Sequence, residues 1–366
     1  MDLFEKLRPC ELAAEAMEKG IYPYFHALET RQDIQVVMEG KRRIMLGSNN
    51  YLGLTNNPEV IEAGKKALDQ YGSGCSGSRF LNGTLKMHLE LEEELADFLH
   101  KEAVVTFPSG FQSNLGIISA LAGRHDYILC DRENHARLSQ ATMLRYRHGD
   151  MADLEKKLKE IPDTAGCLIV TDGVFSMGGD IANLPEIVRL ARQYRARIMV
   201  DDAHGLGVLG EGGRGTPSYY GLEDEIDVYM GTFSKSLASL GGYMASSKFI
   251  ADHVRHNSRP FIFAASIPPA SCACALASLR VLKKEPWRVQ RLKDISNYVQ
   301  KGLTERAIPH KLTSVPIIPI YTHDPENTLI MAKRAYDGGV YVNPVLPPAT
   351  PMTECLLRTS YMATHT

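Results

Sequence analysis

The sequence predicts an α/β fold with a mainly parallel central sheet. Two observations predict it. Short β-branched runs recur between about residues 100 and 245, and helical patterns lie between them. Strand–helix alternation of this kind is what a parallel sheet with crossover helices requires.

In chain order, the N-terminal stretch MDLFEKLRPCELAAEAMEKG is charged and helix-like, without an apolar signal core. A membrane-surface helix is the weaker reading, because Glu5, Glu11, Glu15 and Glu18 would oppose anionic lipid. PEVIEAGKKALDQY is helix-like, and MHLELEEELADFLH (Met87–His100) is amphipathic. Strands are expected at Ala103–Phe107, Tyr127–Cys130, Cys167–Thr171, Ile198–Asp201 and Val228–Met230. In Leu184–Arg195 the residues Ile187, Leu190, Ala191 and Tyr194 recur at helical spacing, and Pro185 fits the first turn. After residue 275 helices broken at Pro286 lead into an α+β segment carrying SVPIIPIY and GGVYVNPV. The expected division is an arm over 1–45, a large domain over 46–275 and a smaller α+β C-terminal domain over 276–366.

A chain of 366 residues is long enough for one large core and a smaller one. Hydrophobic content of 44% and charged content of 23% are ordinary for a soluble globular protein. A net charge of -2 gives no nucleic-acid footprint. No apolar run approaches the ~20 residues of a membrane span. The seven cysteines are scattered, odd in number and without a Cys-x-x-Cys pair, so reduced thiols and a cytoplasmic setting are expected.

Two glycine patterns, GSGCSG (Gly72–Gly77) and GEGGRG (Gly210–Gly215), fit a dinucleotide fingerprint by letter. Such a fingerprint works only between a strand and a helix. The first follows a helix-like stretch, and the second leads into Thr216-Pro217 with no obvious helix after it. Tight turns, or backbone close to a ligand, are the better reading. GTFSKS resembles a phosphate loop but has Ser234 where glycine must precede the lysine, and Tyr229 where the earlier glycine belongs.

Chemistry concentrates in two runs. IMVDDAHGLG puts Asp201, Asp202 and His204 at the end of a buried strand, where open α/β sheets bind ligands. An aspartate there can hold a protonated ring nitrogen. The following strand ends directly in GTFSK, so Lys235 is expected at the same sheet edge. A poorly solvated lysine loses part of its preference for charge and can form a Schiff base. Thr232 and Ser234 offer hydroxyls to phosphate, and Ser109-Gly110-Phe111 offers backbone N–H groups at a helix start. Together these describe a pyridoxal 5'-phosphate site. Asp201, Asp202 and His204 also have the residue types of a metal pair, which no further cluster completes, so no metal is expected. Taken singly, His135 reads better as a surface histidine, and Arg358 reads equally as a surface cation.

The chain resembles the α-oxoamine synthases, a pyridoxal-phosphate family of fold type I, from about Leu46 to Thr366. The resemblance rests on GSNNYLGL, GSGCSGSRFLNGT, PSGFQSN, NHA, DGVFSMGGD, VDDAHGLG, GTFSKSLASLGG and FAASIPPA. SRFLNGTLKMHLELEEELADF, VNPVLPPATP and RTSYMATHT are similar to the branch that condenses L-serine with palmitoyl-CoA. They are less similar to the aminolevulinate, 8-amino-7-oxononanoate or 2-amino-3-ketobutyrate branches. The resemblance implies Lys235 as the Schiff-base lysine and proton carrier, Asp201 on the pyridine nitrogen, and His204 and Ser176 on the ring oxygen. His135 would stack on the ring and help place the substrate carboxylate. Gly110, Phe111, Thr232 and Ser234 would hold the phosphate, with Ala264 reaching in from a second subunit. Arg358 would bind the substrate carboxylate, and Asn50 and Tyr51 would line the site from the partner chain. A homodimer with shared sites is implied, with L-serine and a long-chain acyl-CoA as substrates and loose association with the inner membrane. A sister activity on glycine or alanine, and a non-catalytic partner subunit, are the other readings. The resemblance departs at three places: a shorter segment after His135, Gly178 where an acidic residue is common, and a stop at MATHT where a further helix is expected.

Overall fold

The structure, a computed structural model, describes residues 2–8, 10–134 and 140–366. In chain order its strands are β1 (Gln35–Met38), β2 (Lys41–Met45), β3 (Ala103–Phe107), β4 (Tyr127–Asp131), β5 (Thr142–Tyr146), β6 (Cys167–Asp172), β7 (Arg197–Asp201), β8 (Val228–Thr232), β9 (Gly242–Ser246), β10 (Ile317–Tyr321), β11 (Val340–Tyr341), β12 (Asn343–Val345) and β13 (Leu356–Ser360). Seven of them form the central sheet in the order β3-β9-β8-β7-β6-β4-β5. From β8 to β5 every pairing is parallel, and β9 is antiparallel to both neighbours. The expected mainly parallel α/β sheet is what forms.

Alternation along the strands feeds two cores, because successive side chains point to opposite faces. Val104, Leu129, Ile169, Ile198, Val200 and Tyr229 pack with helices Lys86–Leu99, Leu184–Tyr194 and Pro269–Lys284. Val105, Phe107, Ile128, Val170, Met199 and Met230 pack on the other face against helices Gly110–Leu121 and Lys248–Asn257. Cover on both faces explains why β3, β4, β6 and β8 read as mostly apolar runs without polar alternation.

Around residue 210 the outcome differs from expectation. GEGGRG is followed by a short helix, Thr216–Tyr220, with Pro217 in its first turn. GSGCSG follows the helix Pro58–Tyr71, and GEGGRG is separated from the end of β7 at Asp201 by the His204 turn, so neither forms the tight strand-to-helix turn of a dinucleotide fingerprint. Two smaller sheets complete the molecule. Strand β2 of the arm pairs with β11 near the C-terminus, and β13 lies between β10 and β12. Arg358 sits in the middle of β13, opposite Pro319 and Asn343.

Candidate active site

Parallel register brings the chemistry to one edge. Asp172 at the end of β6 lies opposite Asp201 at the end of β7, and Asp201 lies opposite Met230 of β8. Two residues on, Thr232 closes β8 and the chain turns into the lysine loop. That loop is tied at its base by Phe233 N–H to Gly241 O at 2.9 Å and by Ser239 N–H to Phe233 O at 2.9 Å. Ser236 Oγ donates to Leu206 O at 2.6 Å and fastens it to the His204 turn.

Glycines around the loop are there for close approach. A Cβ on Gly242 would fall 2.5 Å from Ser113 Oγ and 2.8 Å from Gly110 Cα. Gly241 adopts φ +127°, which L side chains rarely adopt. The helix Gly110–Leu121 can therefore bring its first turn against β8, with Ser109 as its N-cap. A Cβ on Gly110 would lie 3.1 Å from the Thr232 side chain. Thr232 Oγ1 and Ser234 Oγ stand 2.9 Å apart beside this helix start, and Phe111 projects into solvent. Backbone N–H groups at this helix start, with two hydroxyls beside them, form a suitable cradle for a phosphate.

Asp201 is fixed by two donors. Asn114 Nδ2 donates to Oδ2 at 2.6 Å, and Ala203 N–H donates to Oδ1 at 3.1 Å. Lys235 remains partly open to the cleft, but the packing around its amine outweighs that opening. Burial lowers its pKa from 10.5 to about 8, with Arg358 adding to the fall and Asp201 and Asp172 opposing it. An amine that gives up its proton this readily can act both as nucleophile and as base. The donor set thus fits a phosphate-bearing aldehyde with a cationic ring, and pyridoxal 5'-phosphate has that chemistry.

Tyr51 is fully buried, and burial pushes its hydroxyl pKa up while Arg358 pulls it down. Its OH meets His204 Nδ1 at 2.7 Å and accepts from Arg358 Nη2 at 3.3 Å. Arg358 also donates to Asn49 Oδ1 at 3.0 Å and, through Nε, to Ser176 O at 2.5 Å. Arg358 is only 5% exposed, yet its hydrogen-bond partners among the described residues are neutral. A buried cation of this kind calls for an anion.

Other predicted residues fall around this cluster. Tyr51 meets His204 of its own chain. Tyr51 reaches the site directly, whereas the Asn50 side chain turns away, accepting from Leu54 N–H at 3.0 Å and donating to Thr55 Oγ1 at 2.7 Å. Ser176 engages Arg358 through its carbonyl. Asp202, the second member of the metal alternative, is turned to Thr216, whose N–H and hydroxyl donate at 2.8 and 2.6 Å. Among the described residues no group of three or more His, Cys, Asp or Glu is placed to hold a metal. Two residues after Gly178, Asp180 pairs with Lys311 and with His148. Ala264 is half-buried just beyond the helix Arg259–Ile262. His135 lies outside the described residues, while its neighbour Asn134 donates to Asp172 Oδ1 at 2.7 Å. Asn49 and Asn114 were not singled out by sequence. Asn114 stands one helical turn after Gly110, a spacing that could have flagged it.

The family model "Aminotransferase class I and II" matches residues 41–366. The chain belongs to the class I and II aminotransferase family. Within that family it is 49% identical to the serine palmitoyltransferase of Sphingobacterium spiritivorum, across 100% of this chain and 93% of that one. It is 40% identical to 8-amino-7-oxononanoate synthase 1 of Bacillus velezensis, across 95% of this chain and 91% of that one. These are the relatives expected of an α-oxoamine synthase branch of the aminotransferase family. Among solved structures, a high-resolution structure of SPT with a PLP internal aldimine superimposes with a TM-score of 0.97 at 38% identity, covering 100% of this chain and 95% of that one. The fold type I architecture expected of the family is therefore present.

Proposed function

We propose that the chain acts as a serine C-palmitoyltransferase. It joins L-serine to palmitoyl-CoA, consumes one proton, and releases CoA, carbon dioxide and 3-oxosphinganine. The observation that carries this reading is Arg358, a buried guanidinium held by neutral acceptors on the same side as a lysine whose pKa has fallen to about 8. That pair offers a seat for an amino-acid carboxylate beside a base for its Cα proton. Relatives at 49% identity named serine palmitoyltransferase support serine over the other amino acids.

Pyridoxal 5'-phosphate, when bound, supplies an aldehyde for the substrate amine and a ring that takes up the electrons released at Cα. Gly110, Phe111, Thr232 and Ser234 would hold its phosphate, Asp201 its ring nitrogen, and His204 and Ser176 its ring oxygen. His135 would stack on the ring, and Ala264 would approach from a second copy. Asp201, locked by Asn114, favours the protonated ring nitrogen. Lys235 takes the Cα proton. Arg358 holds the serine carboxylate until it departs as carbon dioxide. Tyr51 keeps His204 and Arg358 in register through its one hydroxyl.

We also propose a homodimer, with the division 46–275 against 1–45 and 276–366, since the arm shares a sheet with the C-terminal part. Sedimentation at a single-chain mass would contradict the dimer. We propose a cytoplasmic setting, which seven free cysteines support, and a loose association with the inner membrane suited to a lipid-like product. Among the described residues no helix is long and apolar enough to cross a membrane.

The test is a visible-absorption titration of the cofactor-loaded protein with serine, glycine and alanine. Serine should perturb the band at the lowest concentration, and Lys235→Ala should lack the wild-type band. Glycine or alanine acting where serine does not would move the assignment to a sister activity, which the 40% identical 8-amino-7-oxononanoate synthase keeps in view.

A further inference from the structure

Beyond the reacting groups a cavity of about 580 Å³ runs outward from the site. Its inner end is formed by Asn49, Ser176, His204 and Arg358. Farther out it is lined by Leu329, Val345 and Leu346 together with Leu12, Ala13 and Ala16 of the arm helix Glu11–Glu18. Among the described residues no Asp, Glu or Lys lines it, and Arg358 is the one permanent cation. The cavity is of small-molecule size, and its composition excludes a phosphate-rich occupant and suits an aliphatic one. Continuity with Arg358 and His204 places the near end of such an occupant at the reaction centre.

The arm helix is a light wall. Ala16 is its one buried residue, packed among Leu329, Leu346 and Cys355. Its other anchor is the exposed pair Lys19–Glu326, which is worth little in water. Ala13 and Ala16 are three residues apart and share one helix face. Both present only a methyl group, so their size sets how far the cavity reaches.

We propose that the arm helix is the outer wall of an acyl-chain channel, and that Ala13 and Ala16 determine the chain length accepted. The proposal rests on the acyltransferase reading of the site. Its test is calorimetric binding of palmitoyl-CoA, octanoyl-CoA and CoA itself to the cofactor-loaded chain, as wild type, Ala13→Phe and Ala16→Leu. Each bulky variant should weaken palmitoyl-CoA by ~10-fold or more, since several methylenes lose their place, and leave octanoyl-CoA and CoA nearly unchanged. The serine titration reports that the site remains folded. Unchanged palmitoyl-CoA binding in both variants overturns the proposal, and so does an equal loss for CoA alone. The two readings fail separately. Length-dependent binding without product from serine removes the acyltransferase reading and leaves the channel. Product from serine with an unmoved length preference removes the channel and leaves the reaction.

Discussion

Lys235 sits among small residues because its amine has to lose its charge. Burial takes its pKa from 10.5 to about 8, and Asp201 limits the fall. The group's folded value is depressed, so the apo chain bears a cost while the amine is charged in a poorly solvated place. That cost is full below pH 8 and fades between about 8 and 10.5, where the unfolded chain holds more protons. Reaction of the apo protein with pyridoxal 5'-phosphate should therefore rise with pH, half-maximal near 8 and not near 10.5. Arg358→Leu removes a nearby cation and should move that midpoint upward in stopped-flow absorbance. An unmoved midpoint would mean that Arg358 does not act on the amine. At this scale the sequence was informative where charge stood at the end of an apolar run, as at Asp201, or alone among small residues, as at Lys235. It was silent on Tyr51, whose hydroxyl reaches His204 across 153 positions of chain. No local pattern encodes such a contact.

Strands were legible where both faces are covered, and Ala103–Phe107 was read at its observed ends. Two other strands of the central sheet were not. Thr142–Tyr146 is an edge strand with little burial, so it lacks an apolar signal. Gly242–Ser246 begins with glycine and is built of small and aromatic residues, yet it pairs on both sides. Its first glycine is dictated by the neighbouring helix, not by strand propensity. Gly242→Ala should push the Gly110 turn away from β8. The expected cost is ~1–3 kcal/mol in denaturant unfolding, with faster cofactor loss on dialysis. Wild-type stability and retention would show that the helix has room to move.

Across the whole molecule, a charged cluster ties the C-terminal part to the sheet. His148 Nδ1 lies 2.9 Å from Asp131 and Nε2 lies 3.6 Å from Asp180, which Lys311 also pairs. These carboxylates raise the His148 pKa from 6.5 to about 10, and His148 in turn holds Asp180 down at about 2. For His148 the folded value is raised, so its contribution is complete below pH 6.5 and is lost as pH climbs through about 10. Unfolding free energy should fall over that window, and His148→Gln should flatten the fall. A variant profile parallel to wild type would contradict the pairing. The fold class and the sheet edge that carries the site could be read from alternation alone. The joining of the arm to β11, and the Asp180–Lys311 pair of the charged cluster, depend on contacts between segments far apart in sequence, which periodicity does not report.

The central claim is that Lys235 and Arg358 serve a decarboxylative acylation of serine. Mass analysis of the product formed by the cofactor-loaded protein from L-serine and palmitoyl-CoA tests it most directly. The account predicts 3-oxosphinganine, with carbon dioxide released from the serine carboxylate, and none from Lys235→Ala. Absence of that product from the wild type, or its equal formation by Lys235→Ala, would contradict it.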